Sequence, residues 1–417
     1  MNRALLVLTS MSLACGPPKP CDTSKVGNIC TVAGSGSNGY SGDDASALKA
    51  ELSLPQDTLT AADGTLYLLD WNNHRIRKVT TDGVIHAVAG RGELGGTLDD
   101  PANSDFNHPT AMAFDAQGNM LIAAWHNSKI RKIDLASGVI VDTCGDGRRA
   151  YFGDGTPALT ASLDLPASIA FDPAGNLVIV DQANMVLRKI DAAGTISLVA
   201  GRCVIDGPSP AGPGPCAAGI VPTACPGPSG KTTCGVPADM CSKPCTPGYG
   251  GDEGPATQMR IAQPFGQSAD PGGRIVFDPA GNLYFADTSN ALIRKIDAAG
   301  VVHRVAGVAP IDGQAQRGYS GDEGPATAAL LNNPVDLALA DDGTLYFTDT
   351  YNHCVRSIDP LAVMHTVAGT CGTAGTTGDD GPAKSALLKR PYGLEWVAGL
   401  LKISDTGNNR IRVVRLK

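Results

Sequence analysis

Hydrophobic and polar residues alternate along the chain in short runs, and the same four runs recur over most of its length. In the first complete copy the runs are QDTLTA, TLYLLD, RIRKVT and VIHAVAG, which fall within residues 56–90. Alternation over four to eight residues is typical of half-buried strands. The Asp-Gly pairs at 63–64 and 82–83 are signals for tight hairpin turns. The pattern predicts a repeated unit of four antiparallel strands.

A recurring arginine in the third run marks six copies of the unit. In five of them an aspartate stands seven residues earlier, and the pairs are Asp70 with Arg77, Asp181 with Arg188, Asp287 with Arg294, Asp349 with Arg356, and Asp405 with Arg412. In the second copy Ala124 precedes Arg131. We expect each pair to form a buried, bidentate structural clamp. A group present in nearly every unit is poorly suited to mark one catalytic site.

A longer loop precedes each first strand, and in most copies it carries an acidic residue followed by Gly-Pro-Ala. A proline near the start of such a segment favours a single helical turn. The copy GDEGPATAALLNNPVDLALADDGTLYFTDTYNHCVRSID, at residues 321–359, resembles an NHL repeat. The resemblance rests on its Asn-Pro, Asp-Gly-x-Leu-Tyr, Asp-Thr-x-Asn and x-Val-Arg elements. It extends over residues 28–417 apart from one insert, and the second copy diverges most.

The fold expected from these repeats is an all-β, six-bladed β-propeller of NHL type spanning residues 28–417. The sixth copy supplies only three strands, near 391–397, 400–405 and 409–416. At the other end of the chain NICTVAG, residues 28–34, matches the pattern of a fourth strand. We therefore expect the N-terminal strand to complete the last blade and close the ring, because closure removes unpaired strand edges.

The N-terminus has the features of an export signal. Residues 1–14 combine Arg3 with an apolar run of the length of a signal core. Cys15 follows directly, and Ser12-Leu13-Ala14-Cys15 resembles a bacterial lipobox, in which the cysteine is lipidated. Residues 15–27 would then be the lipidated Cys15 and a linker. The resemblance implies an outer-membrane or cell-surface lipoprotein, with a soluble periplasmic or secreted protein as the alternative.

Twelve cysteines fit an oxidising compartment. Six of them fall in residues 202–250, a Pro/Gly-rich insert between the third and fourth blades, where fifteen disulfide connectivities are open. The remaining sequence offers Cys21 with Cys30 and Cys354 with Cys371 as partners. With Cys15 lipidated, one thiol stays unpaired. The insert is a surface for partner contact or a tolerated insertion.

The long loops gather many acidic side chains at one end of the predicted ring: Asp43, Asp44, Asp99, Asp100, Asp154, Asp252, Glu253, Asp322, Glu323, Asp379 and Asp380. They are interpreted first as helix N-caps. Calcium binding is the alternative, because oxygen ligands suit a hard cation. No twelve-residue calcium loop is present, and no cofactor is expected otherwise.

Aromatic and histidine residues occupy some turns between second and third strands where other copies have small polar residues: Trp71, His74, Trp125, His126, Tyr351 and His353. They predict a recognition surface, with drift at exposed turns as the alternative. His108, before a first strand, is the one histidine expected to point towards the axis. No HExxH or CxxC pairing and no G-x-S-x-G occurs, so no metal site or serine nucleophile is predicted.

Two functions remain open. The first is an exported, lipid-anchored, monomeric scaffold that binds a protein or a glycan through the loop-rich face. The second is an enzyme, a metal-dependent lyase or lactonase-like hydrolase of the kind found among six-bladed propellers, with acidic or histidine side chains on the axis. RNA binding, which the NHL resemblance also allows, fits poorly with export and a net charge of −8. We predict no nucleic-acid partner and a membrane contact through the lipid alone.

Overall fold

The structure is a computed structural model that describes residues 21–22, 24–96, 104–204, 245–265 and 270–417. Its strands form six antiparallel sheets. The strands in chain order are β1 (Asn28–Ala33), β2 (Ala45–Ser46), β3 (Asp57–Thr60), β4 (Leu66–Asp70), β5 (Arg75–Val79), β6 (Val84–Ala89), β7 (Pro109–Phe114), β8 (Met120–Ala124), β9 (Lys129–Ile133), β10 (Ile140–Cys144), β11 (Pro166–Phe171), β12 (Leu177–Asp181) and β13 (Val186–Ile190). They continue with β14 (Ile196–Gly201), β15 (Ile275–Phe277), β16 (Leu283–Asp287), β17 (Leu292–Ile296), β18 (Val302–Ala306), β19 (Pro334–Leu339), β20 (Leu345–Asp349), β21 (Cys354–Ile358), β22 (Met364–Ala368), β23 (Gly381–Pro382), β24 (Leu394–Val397), β25 (Leu400–Asp405) and β26 (Arg410–Arg415).

The sheets are the blades of a six-bladed propeller, as the repeats predict. Blades one to five are β3–β6, β7–β10, β11–β14, β15–β18 and β19–β22. The first strand of each blade contacts the first strand of the next, from β3 through β7, β11, β15 and β19 to β24 and back to β3. These strands therefore surround the axis, and the fourth strands lie at the rim. Aliphatic and aromatic side chains, such as Ile293 of blade four and Phe347 of blade five, pack between neighbouring blades.

The chain ends meet in blade six, and the predicted ring closure is confirmed. This sheet has the order β23-β1-β26-β25-β24, so the N-terminal β1 is its fourth strand. Ile29 pairs with Val414 and Cys30 pairs with Val413 in an antiparallel register. Ile29 is fully buried. Without β1, the backbone groups of β26 would form an open edge.

Two kinds of short 3₁₀ turn define one end of the ring, which we name the upper face. The turns between second and third strands are Trp71–Asn73, Trp125–Asn127, Gln182–Asn184, Thr288–Asn290, Thr350–Asn352 and Thr406–Asn408. The long loops contain the turns Ala47–Lys49, Ala158–Thr160, Ala256–Gln258, Ala326–Ala328 and Ala383–Ser385. Proline precedes four of the latter five, at 157, 255, 325 and 382. The helical turn expected from Gly-Pro-Ala is thus a 3₁₀ turn.

The glycine that ends the Val-Ala-Gly runs has a steric cause. Gly90 has φ +93°, and a Cβ at this position would lie 2.4 Å from the backbone oxygen of His74. The equivalent Gly34, after β1, has φ +93° and would clash with the backbone oxygen of Asn409 at 2.2 Å. Only glycine fits this left-handed, crowded position. The glycine therefore recurs because the end of the fourth strand closely approaches the turn beside it.

Three disulfides join described cysteines. Cys21 pairs with Cys30 and Cys354 with Cys371, as the sequence indicates. Cys203 pairs with Cys245, with Cα atoms 5.0 Å apart, and so closes the base of the insert. Within the described residues Cys144 is the free cysteine; it is buried, and burial raises the pKa of its thiol to about 12.

Several predicted features lie outside the described residues. They are the signal at 1–14, Cys15, the acidic residues Asp99 and Asp100, and the body of the insert at 205–244, with Cys216, Cys225, Cys234 and Cys241. No helix in the part of the chain that the structure describes is long and apolar enough to cross a membrane.

Candidate functional site

The recurring aspartates hold together the loops of the upper face. Asp70 Oδ1 accepts a hydrogen bond from the backbone N–H of Ser53 at 2.7 Å, and its Oδ2 accepts one from Asn73 Nδ2 at 2.9 Å. The same two contacts recur at Asp181, Asp287, Asp349 and Asp405. Burial raises the pKa of Asp70 to about 6, while these donors oppose protonation. Each aspartate therefore fixes a long loop to the neighbouring 3₁₀ turn.

The expected bidentate contact between these aspartates and the arginines is not formed. Arg77 Nη1 contacts Asp70 Oδ2 at 3.3 Å, and the equivalent single contacts in the other pairs are 3.2–3.4 Å. The guanidinium instead lies closer to the first acidic residue of the long loop. Arg77 is 2.7 Å from Asp43, and the corresponding distances to Asp154, Asp252, Asp322 and Asp379 are 2.6–3.0 Å. Two carboxylates share each arginine, which the sequence spacing did not indicate.

This arrangement revises the interpretation of the acidic loops. None of the five 3₁₀ turns in the long loops has a side-chain hydrogen bond at its N-cap. The first acidic residue of each loop is paired with arginine, so it is not an N-cap. Within the described ranges, no group of three or more His, Cys, Asp or Glu side chains could hold a metal ion. Blade two, which lacks the aspartate, uses Asp142 of β10 as the partner of Arg131.

Trp71, His74, His108, Trp125 and His126 form one contiguous group on the upper face, the histidine–tryptophan cluster. The His108 ring lies 4.3 Å from the rings of Trp71 and His74, and Trp125 stacks on His126 at 4.2 Å. Nδ1 of His108 and Nδ1 of His126 are 3.0 Å apart, so one of them carries the proton. Burial, followed by the neighbouring charges, lowers the pKa of His108 to about 3 and that of His126 to about 4. Both imidazoles are therefore neutral at physiological pH.

His74 and His353 also connect adjacent blades. His74 Nδ1 accepts the backbone N–H of His108 at 3.3 Å, and His353 Nδ1 accepts that of Arg390 at 3.2 Å. Asn409 occupies the same position in blade six and accepts the N–H of Leu54 at 2.9 Å. Burial lowers the pKa of both histidines, which keeps Nδ1 free to accept. Each of these two histidines therefore holds its blade to the next one, which comparison of the repeat copies did not reveal.

Trp125 is a correction to the predicted recognition surface. Its side chain is 1% exposed and packs against Leu165 and Ala167 of blade three. Its Nε1 donates to Gln182 Oε1 at 3.2 Å. A residue covered in this way cannot contact a ligand in this conformation. The turn position that looked exposed in the sequence is covered by the next blade, which a single copy of the repeat cannot show.

A second group on the upper face consists of Asp270, Tyr351, His353, Arg390 and Tyr392, which we name the tyrosine–arginine cluster. Tyr351 donates its hydroxyl to Asp270 Oδ2 at 2.6 Å, and Arg390 Nη2 donates to the same oxygen at 2.7 Å. The Arg390 guanidinium lies 5.1 Å from the ring centre of Tyr351 and 5.7 Å from that of Tyr392. Tyr351 is 37% exposed. Here an aromatic ring and an ion pair face solvent together.

Gln182 connects the two clusters. Its Oε1 accepts from Trp125, and its Nε2 donates to the backbone oxygen of Asp270 at 3.1 Å. Asp270 in turn holds Tyr351 and Arg390. The upper face is thus spanned by a continuous hydrogen-bonded path from blade two to blade six. Of the predicted surface residues, the structure groups Trp71, His74, Trp125 and His126 on one side and Tyr351 and His353 on the other.

The axis contains a buried ion cluster that sequence reasoning missed. Arg274, which precedes β15, reaches across to Asp57 of blade one at 3.0 Å and to Asp336 of blade five at 3.8 Å. The guanidinium also donates to the backbone oxygens of Gln56 and Thr110. A signal was available, because Asp57 and Asp336 each stand two residues after the recurring proline at or just before the start of a first strand. Other first strands have Ala111, Ser168 or Gly393 there.

This axial cluster bears on the enzyme alternative. Acidic side chains do converge on the axis, as that alternative requires. Both carboxylates, however, face a guanidinium, and each also accepts two backbone N–H bonds. His108, the histidine expected to point towards the axis, contacts His74 and His126 instead. Both axial carboxylates are thus buried and paired with Arg274.

Comparison with known proteins agrees with the repeat and the ring. The family model described as NHL repeat matches residues 331–356, within blade five. The protein is a six-bladed β-propeller with an NHL repeat, and the short name NHL propeller is used for it below. The NHL propeller is 27% identical over 336 residues to Protein SUPPRESSOR OF QUENCHING 1, chloroplastic, of Arabidopsis thaliana. That alignment covers 79% of this chain but only 27% of the plant protein's length.

Two solved structures from Bacteroides thetaiotaomicron share the fold. One is a protein of unknown function, with a TM-score of 0.60 and 16% identity over 93% of this chain and 75% of that one. The other is an auxiliary nutrient binding protein, with a TM-score of 0.58 and 14% identity over 92% of this chain and 75% of that one. At these identities the likeness shows the fold of the NHL propeller alone.

Proposed function

We propose that the NHL propeller is an exported, lipid-anchored, monomeric scaffold that binds a protein or glycan ligand on its upper face. The observation that carries this proposal is the tyrosine–arginine cluster, where an exposed ring and an ion pair with unused hydrogen-bonding atoms lie on rigid turns. Rigid aromatic and arginine side chains are the residues that most often anchor ligands. The nutrient-binding neighbour lends support at the level of the fold.

Several features support the export part of the proposal. Disulfides such as Cys21–Cys30 and Cys203–Cys245 suit an extracytoplasmic compartment. Cys15 stands six residues before Cys21, which is joined to β1 at the rim of blade six. A lipid on Cys15 would hold the ring to a membrane by that rim. Replacing Cys15 with serine should abolish fatty-acid labelling and release the protein from membranes; labelling that persists would contradict lipidation at this residue.

Blocking the upper face tests the binding role. A thiol introduced by Asn72→Cys lies on an exposed upper turn, and Ala193→Cys lies on an exposed turn between third and fourth strands at the opposite end. A maleimide polymer then modifies the introduced thiol. Cys144, the free cysteine among the described residues, is buried, and the same labelling of the protein without an introduced thiol measures any reaction at other cysteines. The proposal predicts that the polymer at residue 72 abolishes capture of ligand from envelope protein and polysaccharide fractions, while the polymer at residue 193 does not. Equal capture by both conjugates would exclude the upper face.

The insert is a second contributor that can be removed cleanly. The Cα atoms of Cys203 and Cys245 are 5.0 Å apart, so a short Gly-Ser link can replace residues 205–244 without opening the ring. If the insert contacts the partner, this deletion weakens capture while the melting temperature is unchanged. Unaltered capture would identify a tolerated insertion. Metal analysis of the same preparation tests the enzyme alternative, since a lyase or lactonase-like site would require a stoichiometric cation.

A further inference from the structure

Two guanidinium groups act on Tyr351 on the upper face. Arg390 stacks beside its ring, and Arg317 of the preceding long loop is exposed and donates through Nη2 to the backbone oxygen of Ser289 at 2.8 Å. The loop of Arg317 is joined to the turn of Tyr351, because Asn352 Nδ2 donates to the backbone oxygen of Gly318 at 2.7 Å. Both arginines lower the pKa of Tyr351 against the larger upward effect of burial. Asp270 is the carboxylate that accepts the hydrogen bond of the Tyr351 hydroxyl. Two guanidinium groups and one hydrogen-bonded carboxylate thus act on Tyr351, on a protein whose net charge is −8.

The ion pair beside the ring has free capacity on both partners. Asp270 uses only Oδ2, for Tyr351 and Arg390, and among the described residues nothing contacts its Oδ1. Arg390 uses Nη2, for Asp270 and Tyr392, and its Nη1 has no acceptor within the described ranges. The two side chains are 37% and 41% exposed. An open acceptor and an open donor therefore stand side by side in solvent.

The cluster is held in this geometry before any ligand arrives. The backbone N–H of Arg390 is fixed by His353, and the guanidinium is held by the hydroxyl of the buried Tyr392 at 2.8 Å. Tyr351 is fixed by Asp270. Side chains that are already ordered lose little conformational entropy when they bind. The open atoms are therefore suited to recognition.

We propose that this cluster binds a saccharide that carries a carboxylate, of the uronic-acid type. This rests on the proposed function and specifies its ligand. The exposed ring of Tyr351 offers an apolar face to the C–H groups of a sugar ring. Asp270 Oδ1 accepts a sugar hydroxyl, and Arg390 Nη1 with Arg317 receives the carboxylate, since guanidinium groups match carboxylate geometry.

A neutral sugar has no carboxylate for Arg317 to bind. An aliphatic peptide carboxylate has no ring hydroxyl to donate to the open oxygen of Asp270 beside the aromatic face. Each of these ligands satisfies part of the cluster, whereas a uronate satisfies all of it. The two guanidinium groups also attract an anion and make binding sensitive to salt.

Matched ligands and variants test the proposal. The probes are oligomers of galacturonate, glucuronate and mannuronate, their carboxyl-reduced counterparts, and an acidic peptide, with the mature chain as receptor. We expect the uronates to bind and the reduced oligomers to bind about tenfold more weakly. Tyr351→Ala should weaken uronate binding by about tenfold or more. Arg317→Gln should remove most of the preference for the charged oligomer, by about threefold to tenfold.

Tyr40→Ala is the matched control. Tyr40 is also exposed, donates to an aspartate (Asp43) and lies under an arginine (Arg75, 3.9 Å), but belongs to the long loop of blade one, away from the tyrosine–arginine cluster. This variant should bind like the unaltered protein. Melting temperatures confirm folding of each variant.

The remaining outcomes separate this inference from the proposed function. Equal binding of uronates and reduced oligomers, binding of the peptide alone, or no uronate binding at roughly 1 mM would overturn the uronate assignment. In those cases the binding role would still hold if a polymer at residue 72 blocked the capture of ligand from envelope fractions. Uronate binding unaffected by Tyr351→Ala would show that the site lies elsewhere.

Discussion

Replacing Arg274 with methionine is the sharpest test of how the centre of the ring is held. The Arg274 side chain is 5% exposed and is the cation that contacts Asp57 and Asp336. Methionine fills a similar volume but leaves two carboxylates buried without a counter-charge. Breaking a buried pair by removing one partner costs about 3–5 kcal/mol. With an unfolding entropy of about 2.1 cal/mol/K per residue, this corresponds to a fall in melting temperature of about 4–6 °C.

The pH dependence of this loss has a defined sign. Burial raises the pKa of Asp57 from 3.8 to about 7, against the opposing effect of Arg274. A carboxyl group with a raised folded pKa contributes stability that is present at low pH and is lost as the pH rises through the folded value. Removing Arg274 raises the pKa of Asp57 further. The variant should therefore be most destabilised at pH 8 and closer to the unaltered protein at pH 5.

Thermal denaturation followed by circular dichroism at these two pH values measures both effects. The control is the triple variant Arg274→Met, Asp57→Asn, Asp336→Asn, which carries no buried charge and should recover at least half of the loss. If Arg274→Met alone melts within about 1 °C of the unaltered protein at pH 8, the buried carboxylates do not depend on Arg274 for their stability, and the prediction is wrong.

Three further perturbations address the ring, the loops and the histidines. Ile29→Ala should lower the free energy of unfolding by about 2–5 kcal/mol, because Ile29 is fully buried in the closing strand. Deletion of residues 21–34 should cause aggregation, and an unchanged melting temperature after the deletion would rule out closure by β1. Asp349→Ala should cost about 3–5 kcal/mol in urea denaturation, whereas the exposed Asp341→Ala should change stability by less than about 0.5 kcal/mol. His108 should add a slope by which stability falls as the pH drops from 6.5 towards 4, because burial lowers the pKa of His108 to about 3, so the unfolded chain takes up a proton that the folded chain does not; buried aspartates such as Asp57 add the opposite slope. His108→Gln should flatten this slope, and an identical slope in both proteins would argue against a buried neutral imidazole.

The internal repeat makes the fold of this protein predictable from its sequence. Alternating runs, Asp-Gly turns and six copies specify a ring of four-stranded blades, and the unmatched NICTVAG specifies how the ring closes. These features are local, and each blade repeats them, so one copy confirms another. Cys354–Cys371 followed from the same register, because it brings adjacent strands of one blade together.

The candidate site was only half predictable. Comparing the copies identified Tyr351 and the histidines at turns, but it could not show that Trp125 is covered by blade three or that His74 accepts a bond from blade two. The partners of Tyr351 are Asp270 of blade four and Arg390 of blade six. Contacts between blades join residues with no fixed spacing, so the repeat carries no information about them.

The sequence by itself determined the blade, the number of blades and the strand that closes the ring, because strand periodicity and turn chemistry are properties of neighbouring residues. Only the tertiary structure decided what lies where blades meet. Arg274, Asp57 and Asp336 come from three blades, and each lies in an otherwise ordinary first-strand region of the sequence. Curvature of the ring brings the six first strands to one axis and the six upper turns to one face. The axial ion cluster and the tyrosine–arginine cluster exist only once that curvature is formed.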